Sequence, residues 1–222
     1  MKYSALLLAL AIGFISAVSA SAANLQDRIS EAVDILSARQ HGGHPIPESI
    51  LKNAKGVAIV KVSQGGLVFG GIGGQGILVT RKPSLLGSGW SAPSAFNLSG
   101  GTFGAQIGFQ TKRYVMVINS EKALRLFTTE GSEVKWDGTA AGTAGATQLK
   151  ETNSQLAKLP IIYYQDVDGV FGGATLGGTT VAVADDANQG YYGPNVWVND
   201  ILTGKVKAPA SSKALYDVLN GK

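Results

Sequence analysis

The stretch that decides the fold is GVAIVKVSQGGLVFGGIGGQGILVT, residues 56–80. Apolar and β-branched residues recur in it with the period of a strand, and glycines punctuate it. Gly56 to Val62, Leu67 to Ile72 and Gly76 to Thr80 therefore read as short strands joined by tight, glycine-bearing turns. The run Gly71-Ile72-Gly73-Gly74-Gln75-Gly76 has the spacing of a dinucleotide-binding loop. That loop must open a helix and be followed, about 20 residues on, by an acid that holds the ribose. Here Ile77-Leu78-Val79-Thr80 continues as strand and no acid occurs before Glu121, so glycines of a bent sheet explain the run better. No Gly-Lys-Ser/Thr ends any such run, which leaves no phosphate-binding P-loop. Val68-Phe69-Gly70-Gly71 recurs as Val170-Phe171-Gly172-Gly173. The echo points to two strands that need glycine for one reason, close backbone approach or strong bending.

Working outward, the β pattern continues. Phe103 to Phe109 and Tyr114 to Asn119 read as a hairpin around Gln110 to Arg113. Val134 to Trp136, Gly142 to Lys150, Ile161 to Gln165, Val170 to Leu176 and Thr179 to Ala184 read as further strands, and Asp185-Asp186 with Asn188 to Gly190 as a turn. Helical spacing appears at Asn24 to Gln40, where Leu25, Ile29, Val33 and Leu36 form an apolar stripe widened by Ala32 and Ile35, with Asn24 as N-cap. Shorter helices are expected at Pro47 to Ala54, at Ser120 to Phe127 with Ser120 as cap, and near Val196 to Leu202 and Ser212 to Asn220. The expected fold is one α+β domain: a curled antiparallel, glycine-rich sheet or barrel with the N-terminal helix and short C-terminal helices packed outside.

Composition narrows the function. The chain has 222 residues, 45% hydrophobic, with no cysteine and two histidines. Disulfides, cysteine nucleophiles and thiolate metal sites are excluded. Met1 to Ala22 has a short positive start at Lys2, an apolar run and the small-residue pattern Ala20-Ser21-Ala22, as in a secretory signal. The expectation is a signal peptide over 1–22 and a domain over 23–222, exported to a periplasm or the extracellular space and peripherally associated with membrane.

Charge is unevenly placed. Residues 49–120 contain no acid but seven cations, Lys52, Lys55, Lys61, Arg81, Lys82, Lys112 and Arg113, between ends that are each mildly acidic. Either these cations gather into a patch for an anionic partner, or they are scattered and answer acids elsewhere in the fold. The other clusters read as structural. His41 and His44, separated by two glycines, are too few and too loosely held for zinc, so they read as a surface loop. They are also the only bases for a hydrolase, and no Gly-x-Ser-x-Gly elbow accompanies them. Asp166, Asp168, Asp185 and Asp186 fit no calcium loop and read as acids at strand ends. Trp90, Trp136, Trp197, Tyr191 and Tyr192 read as core or rim aromatics, since nothing pairs them with cations at nucleic-acid spacing.

Several ordered motifs carry a family resemblance: Ile46-Pro47, Asn53-Ala54-Lys55-Gly56-Val57-Ala58-Ile59, Gly76-Ile77-Leu78-Val79-Thr80-Arg81 and Trp90-Ser91-Ala92-Pro93-Ser94-Ala95. Gly101 to Gly108, Gly169-Val170-Phe171-Gly172-Gly173, Tyr192-Gly193, Ile201-Leu202-Thr203-Gly204-Lys205-Val206 and Leu215-Tyr216 follow. The chain resembles the SYLF-domain family from about Asn24 to Leu219. The resemblance implies a lipid-binding module rather than an enzyme, with no cofactor. Eukaryotic members bind phosphoinositides and, in some fungi, actin filaments in endocytosis; bacterial members are exported. Lys55 and Arg81 fall within the matching motifs. The helix Asn24 to Gln40 is net acidic, unlike a membrane-surface helix, so its apolar stripe should pack on the sheet.

The reading that results is non-enzymatic binding of anionic phospholipid head groups through those seven cations. Nucleic acid is not expected as a partner, actin is unlikely if the chain is exported, and any protein partner is unknown. The alternative is an envelope interaction or structural module that uses exposed strand edges.

Overall fold

A computed structural model describes residues 24–82, 89–129, 132–134, 143–144 and 158–221. The expected signal peptide at 1–22, Trp136 and most of the strand expected at Gly142 to Lys150 lie outside these residues. Six helices are described: α1 (Leu25–His41), α2 (Glu48–Asn53), α3 (Glu121–Arg125), α4 (Asp185–Tyr192), α5 (Val198–Leu202) and α6 (Ser212–Leu219). The strands are β1 (Gly56–Thr80), β2 (Ser94–Ile118), β3 (Ser132–Val134), β4 (Thr143–Ala144) and β5 (Ile161–Val183). They form an open sheet ordered β1-β2-β5-β3, with β4 beside β5; β1, β2 and β5 run antiparallel to one another. This is the α+β single domain expected from the sequence.

The strands are longer than expected. The three segments read between Gly56 and Thr80 are one strand, as are the three read between Ile161 and Ala184, and the hairpin placed around Gln110 to Arg113 is continuous β2. The reason is that the glycines bend the strands without ending them. Strand β1 doubles back on itself. A Cβ at Gly56 would lie 3.1 Å from the Val79 carbonyl oxygen, at Gly74 3.0 Å from that of Lys61, and at Gly76 2.4 Å from that of Ile59. A Cβ at Gly66 would lie 2.5 Å from the Phe69 carbonyl oxygen. These pairs all fold about Leu67-Val68, where Val68 has φ 68° and the pairing with β2 shifts by a bulge. The Arg81 amide closes the base by donating to the Lys55 carbonyl at 2.8 Å. Strand β2 wraps around this doubled strand, its ends Ser94 and Ile118 pairing with Leu78 and Gly56, and β5 wraps around β2 in turn.

Both faces of the sheet are covered near its base. On one face Val57, Ile59, Ile77, Val79, Val115, Val117, Ile162 and Tyr164 pack against Leu25, Ile29, Ala32, Ile35 and Leu36 of α1 and Leu215 and Leu219 of α6. On the other, Ala58, Val60, Leu78, Phe96, Met116 and Ile118 pack against Ala123, Phe127 and Leu202. Helix α1 starts where expected, with the Asn24 side chain accepting from the Asp27 amide at 2.9 Å, and Ser120 caps α3 by accepting from the Ala123 amide. Two buried arginines fasten α1 to the sheet. Arg28 donates to the Phe96 carbonyl at 2.8 Å, and Arg39 to the Gln165 carbonyl at 2.8 Å and to the Asp166 carboxylate at 2.6 Å.

The turn expected at Asp185-Asp186 and Asn188 to Gly190 lies within helix α4. The side chain that holds it is Asn188, buried, which accepts from the Ala95 amide at 2.7 Å and donates to Ser94 at 3.2 Å. Tyr192 and Tyr216 donate to the carbonyls of Pro93 and Ser91 at 2.8 and 2.7 Å. The motif Trp90 to Ala95 is thus the point to which the C-terminal helices are tied.

Two predictions follow from this packing. Gly76→Ala places a methyl against backbone and should cost about 3 kcal/mol in urea unfolding, whereas Gly71→Ala, with open space around it, should stay within about 0.5 kcal/mol. Equal tolerance of both would show that β1 does not double back at Gly76. Alkali provides the second. Burial raises the hydroxyl pKa of Tyr114, Tyr163, Tyr164 and Tyr216 to about 12 from an ordinary 10.0. The fold favours their neutral form, so that stability is full below pH 10.0 and is lost as pH rises towards about 12. Tyrosinate absorbance and circular dichroism should therefore change together across that window; full ionisation near pH 10.0 with the fold intact would contradict it.

Candidate functional site

The structure divides the seven expected cations into two groups. Lys52, Lys55, Arg81 and Lys82 gather at the base, where α2 meets the two ends of β1. Arg81 follows the last residue of β1, bonds its amide to the Lys55 carbonyl, and reaches with its guanidinium to the Leu51 carbonyl at 2.9 Å. That guanidinium also lies 3.9 Å from the centre of the Trp90 ring, and burial holds its pKa below the ordinary arginine value. Arg81 is therefore a structural cation that joins α2, β1 and the Trp90 motif. Lys55 pairs with Glu121 at 2.8 Å. The stem of Lys82 packs over Gly204, where an added Cβ would lie 3.4 Å from it. Lys52 is exposed on α2.

Lys61, Lys112 and Arg113 form the second group, six residues of strand, about 20 Å, farther along. Lys61 is directly opposite Arg113 and Arg113 opposite Asp166, so the three form one row across the sheet. Acids from the flanking parts of the chain answer two of these cations: Lys61 pairs with Glu31 of α1 at 2.6 Å, and Arg113 with Asp168. Asp166 and Asp168 are accordingly not strand-end acids. They lie within β5 and serve as counter-charges to Arg39 and Arg113. Lys112 alternates to the other face of β2. It is half-buried, burial lowers its pKa from the ordinary lysine value, and no ion pair to it occurs among the described residues.

Between α1 and the row of charges lies a cleft of about 490 Å³, lined by Glu31, Asp34, Arg39, Lys61, Arg113 and Asp166. Its cations are matched by acids, so it is polar without being strongly basic. His44 is exposed and lines the cleft as well, while His41 is exposed with its Nδ1 2.8 Å from the Ser37 carbonyl oxygen. Among the described residues no cluster of three or more His, Asp or Glu side chains is arranged to hold a metal.

Beyond the row, the chain changes character. Residues 62–80, 83–111 and 169–184 contain no ionisable acid or base. Leu67, Val68, Phe69, Phe103, Ile107 and Phe109 stand exposed there, with 46 to 72% of their surface open. The rings of Phe69 and Phe103 are in contact at 5.0 Å between centroids. The sequence reading placed these residues on strands and gave them no role. The signal that could have found them is the consecutive, non-alternating triplet Leu67-Val68-Phe69 between glycine pairs. A buried strand face would alternate, and a solvated turn would be polar. Helix α1 covers this face only as far as Lys61 and Arg113. The echo of Val68-Phe69-Gly70-Gly71 also falls here, since Phe171 pairs with Gly108 in the same end of the sheet.

Comparison with known proteins places the chain. The model of the Ysc84 family, described as "Las17-binding protein actin regulator", matches residues 99–222. Protein YSC84 of Saccharomyces cerevisiae is 32% identical over 181 residues, 80% of this chain and 38% of that protein. LAS seventeen-binding protein 3 of the same yeast is 29% identical over 80% of this chain and 39% of its own length. The human SH3 domain-containing YSC84-like protein 1 is 28% identical over 204 residues, 89% of this chain and 59% of its own. The chain thus spans about two fifths of the yeast relatives. No solved structure matches it. These names describe binding and regulation rather than catalysis. They also correct the expectation that actin is an unlikely partner and that a lipid surface is the main one, because they point to actin-regulatory proteins. The chain belongs to the Ysc84, or SYLF, domain family.

Proposed function

We propose that this chain is a non-enzymatic binding module that brings actin-regulatory proteins, of the kind its relatives are named for, to an anionic phospholipid surface. One observation carries the membrane half of this reading: the segregation of charge along the sheet. The end beyond Lys61, Lys112 and Asp168 has no charged residue on β1, β2 or β5, and the charges beneath it are the cations Lys61, Lys112 and Arg113 with the acids Asp166 and Asp168. A membrane presents the same order, hydrocarbon first and phosphate next. The Lys61–Glu31 and Arg113–Asp168 pairs are partly exposed, and such pairs contribute at most about 1 kcal/mol each, so phosphate can replace the carboxylates at small cost. Lys112 has no pair to give up among the described residues, and its half-buried stem can extend its ammonium towards a head group. Near an anionic leaflet each such cation contributes on the order of 1 kcal/mol. The base group, Lys52, Lys55, Arg81 and Lys82, then faces away from the bilayer, on the side this reading assigns to a protein partner.

Vesicle sedimentation tests the proposal. Anionic vesicles should pellet the chain more than neutral ones, and added salt should reduce the difference. Lys112→Glu should lower the anionic component severalfold, while Lys52→Glu combined with Lys82→Glu should leave it unchanged. Equal pelleting with neutral and anionic vesicles would reject head-group binding. The reverse pattern between the two sets of variants would place the membrane at the base instead.

A further inference from the structure

We infer that the far end of the sheet, built from Leu67, Val68, Phe69, Phe103, Ile107 and Phe109, enters the acyl region of a bilayer. This deepens the proposal above, on which it rests for orientation. Strand alternation puts Leu67, Phe69, Phe103, Ile107 and Phe109 on one face, because Leu67 pairs with Ile107, Phe69 with Phe103, and the Phe109 ring lies over Gly65. That face is the one α1 covers at the base; the charged row of Lys61, Arg113 and Asp166 separates its two apolar parts, and among the described residues no helix lies over the far one.

The exposed area is roughly 700 Å², beyond the largest patch usual on a monomer. Three features select lipid as its occupant. The first is charge: on β1, β2 and β5 the whole end beyond Lys61, Lys112 and Asp168 lacks an ionisable acid or base. A protein surface tolerates charges at its rim and commonly uses them, whereas hydrocarbon excludes them. The second is the backbone. The ladder between β1 and β2 runs through the end with one bulge, and that between β2 and β5 is unbroken, so the peptide groups of β2 enter hydrogen-bonded on both sides. The third is shape. The apolar residues cluster at the fold-back of β1, a tip rather than a groove.

The test uses the full chain and vesicles of phosphatidylcholine, with and without phosphatidylglycerol. Phe69→Trp supplies a reporter at the tip. With the mixed vesicles its emission should shift to the blue and be quenched by lipids brominated on their acyl chains, beyond the change seen in the unsubstituted chain. Phe69→Asp with Ile107→Asp should lower vesicle partition about tenfold or more at high salt, while Trp197→Ser, an exposed aromatic elsewhere, should leave it unchanged. Both tip residues are exposed, and an unaltered urea transition will show that the double variant folds. Absence of acyl quenching, with salt-sensitive pelleting retained and still dependent on Lys112, would overturn insertion while leaving head-group binding in place. Loss of pelleting in every vesicle would overturn both. A concentration-dependent dimer in lipid-free sedimentation velocity that Phe69→Asp abolishes would assign the tip to a second copy. Unchanged partition in the double variant would assign it to something other than lipid.

Discussion

The fold depends on one close approach, that of the two halves of β1. A strand that turns back against itself brings backbone to backbone with no space for side chains between. Gly76 facing the Ile59 carbonyl is the tightest point of that contact, with Gly74 and Gly56 on either side of it. Everything else is wrapped around this doubled strand: β2 follows both halves, β5 follows β2, and the helices cover the two faces that result. A side chain at Gly76 would push the halves of β1 apart and so open both hydrophobic cores, since Ile59 and Ile77 belong to one and Val60 and Leu78 to the other.

The base of the sheet is closed by polar contacts that come from distant parts of the sequence. Arg81 ties the end of β1 to α2 and to Trp90, while Asn188, Tyr192 and Tyr216 tie α4 and α6 to the residues just after Trp90. Helix α1 is fixed by Arg28 and Arg39, both buried, one over β2 and the other over β5. A charged helix face is normally solvated, but these two guanidiniums meet carbonyl oxygens and a carboxylate, which satisfies terminal N–H donors that would otherwise be costly to bury, while Arg39 Nε is buried without a partner. The net acidic character of α1 is consistent with this: its cations face inward, and Glu31 and Asp34 line the cleft.

The secondary structure was legible wherever local chemistry decides it. The period of α1, the caps at Asn24 and Ser120, and the β character of residues 56–80 all reflect propensities that act over a few residues. The reading failed where a distant partner decides. Gly-Gly pairs usually end strands, but here neighbouring strands keep the hydrogen bonds running through them, so three expected strands became one. Asp185 to Gly190 has turn composition, and it is helical because the buried Asn188 finds the backbone of Ala95. The cations showed the same limit. Seven of them in an acid-free stretch could be counted, but their separation into two groups depends on β1 folding back, and their neutralisation depends on Glu31, Glu121 and Asp168, which lie at 30 to 66 residues' remove.

The glycines themselves separate stability from function. At the base they are obligatory, because an added Cβ would strike a carbonyl oxygen or a core side chain. Gly66, at the fold-back, is as confined as Gly76, but elsewhere in the far part of the sheet the constraint relaxes: Gly71 has nothing within 4 Å of where its Cβ would be, and Gly101 only the Gly70 carbonyl oxygen at 3.8 Å. Packing does not require glycine at those two positions. Their effect is to leave the backbone slender around Phe69 and Phe103, so that these large side chains project beyond the surface instead of being shielded by neighbours. A tip made this way contributes little to the core and can be altered without unfolding the base. Burying its rings in a low-dielectric medium releases ordered water from apolar surface while leaving the paired strands intact. Partition would then draw on the apolar area for strength and on the cation row for the choice of leaflet, two contributions that salt separates because only the second is screened.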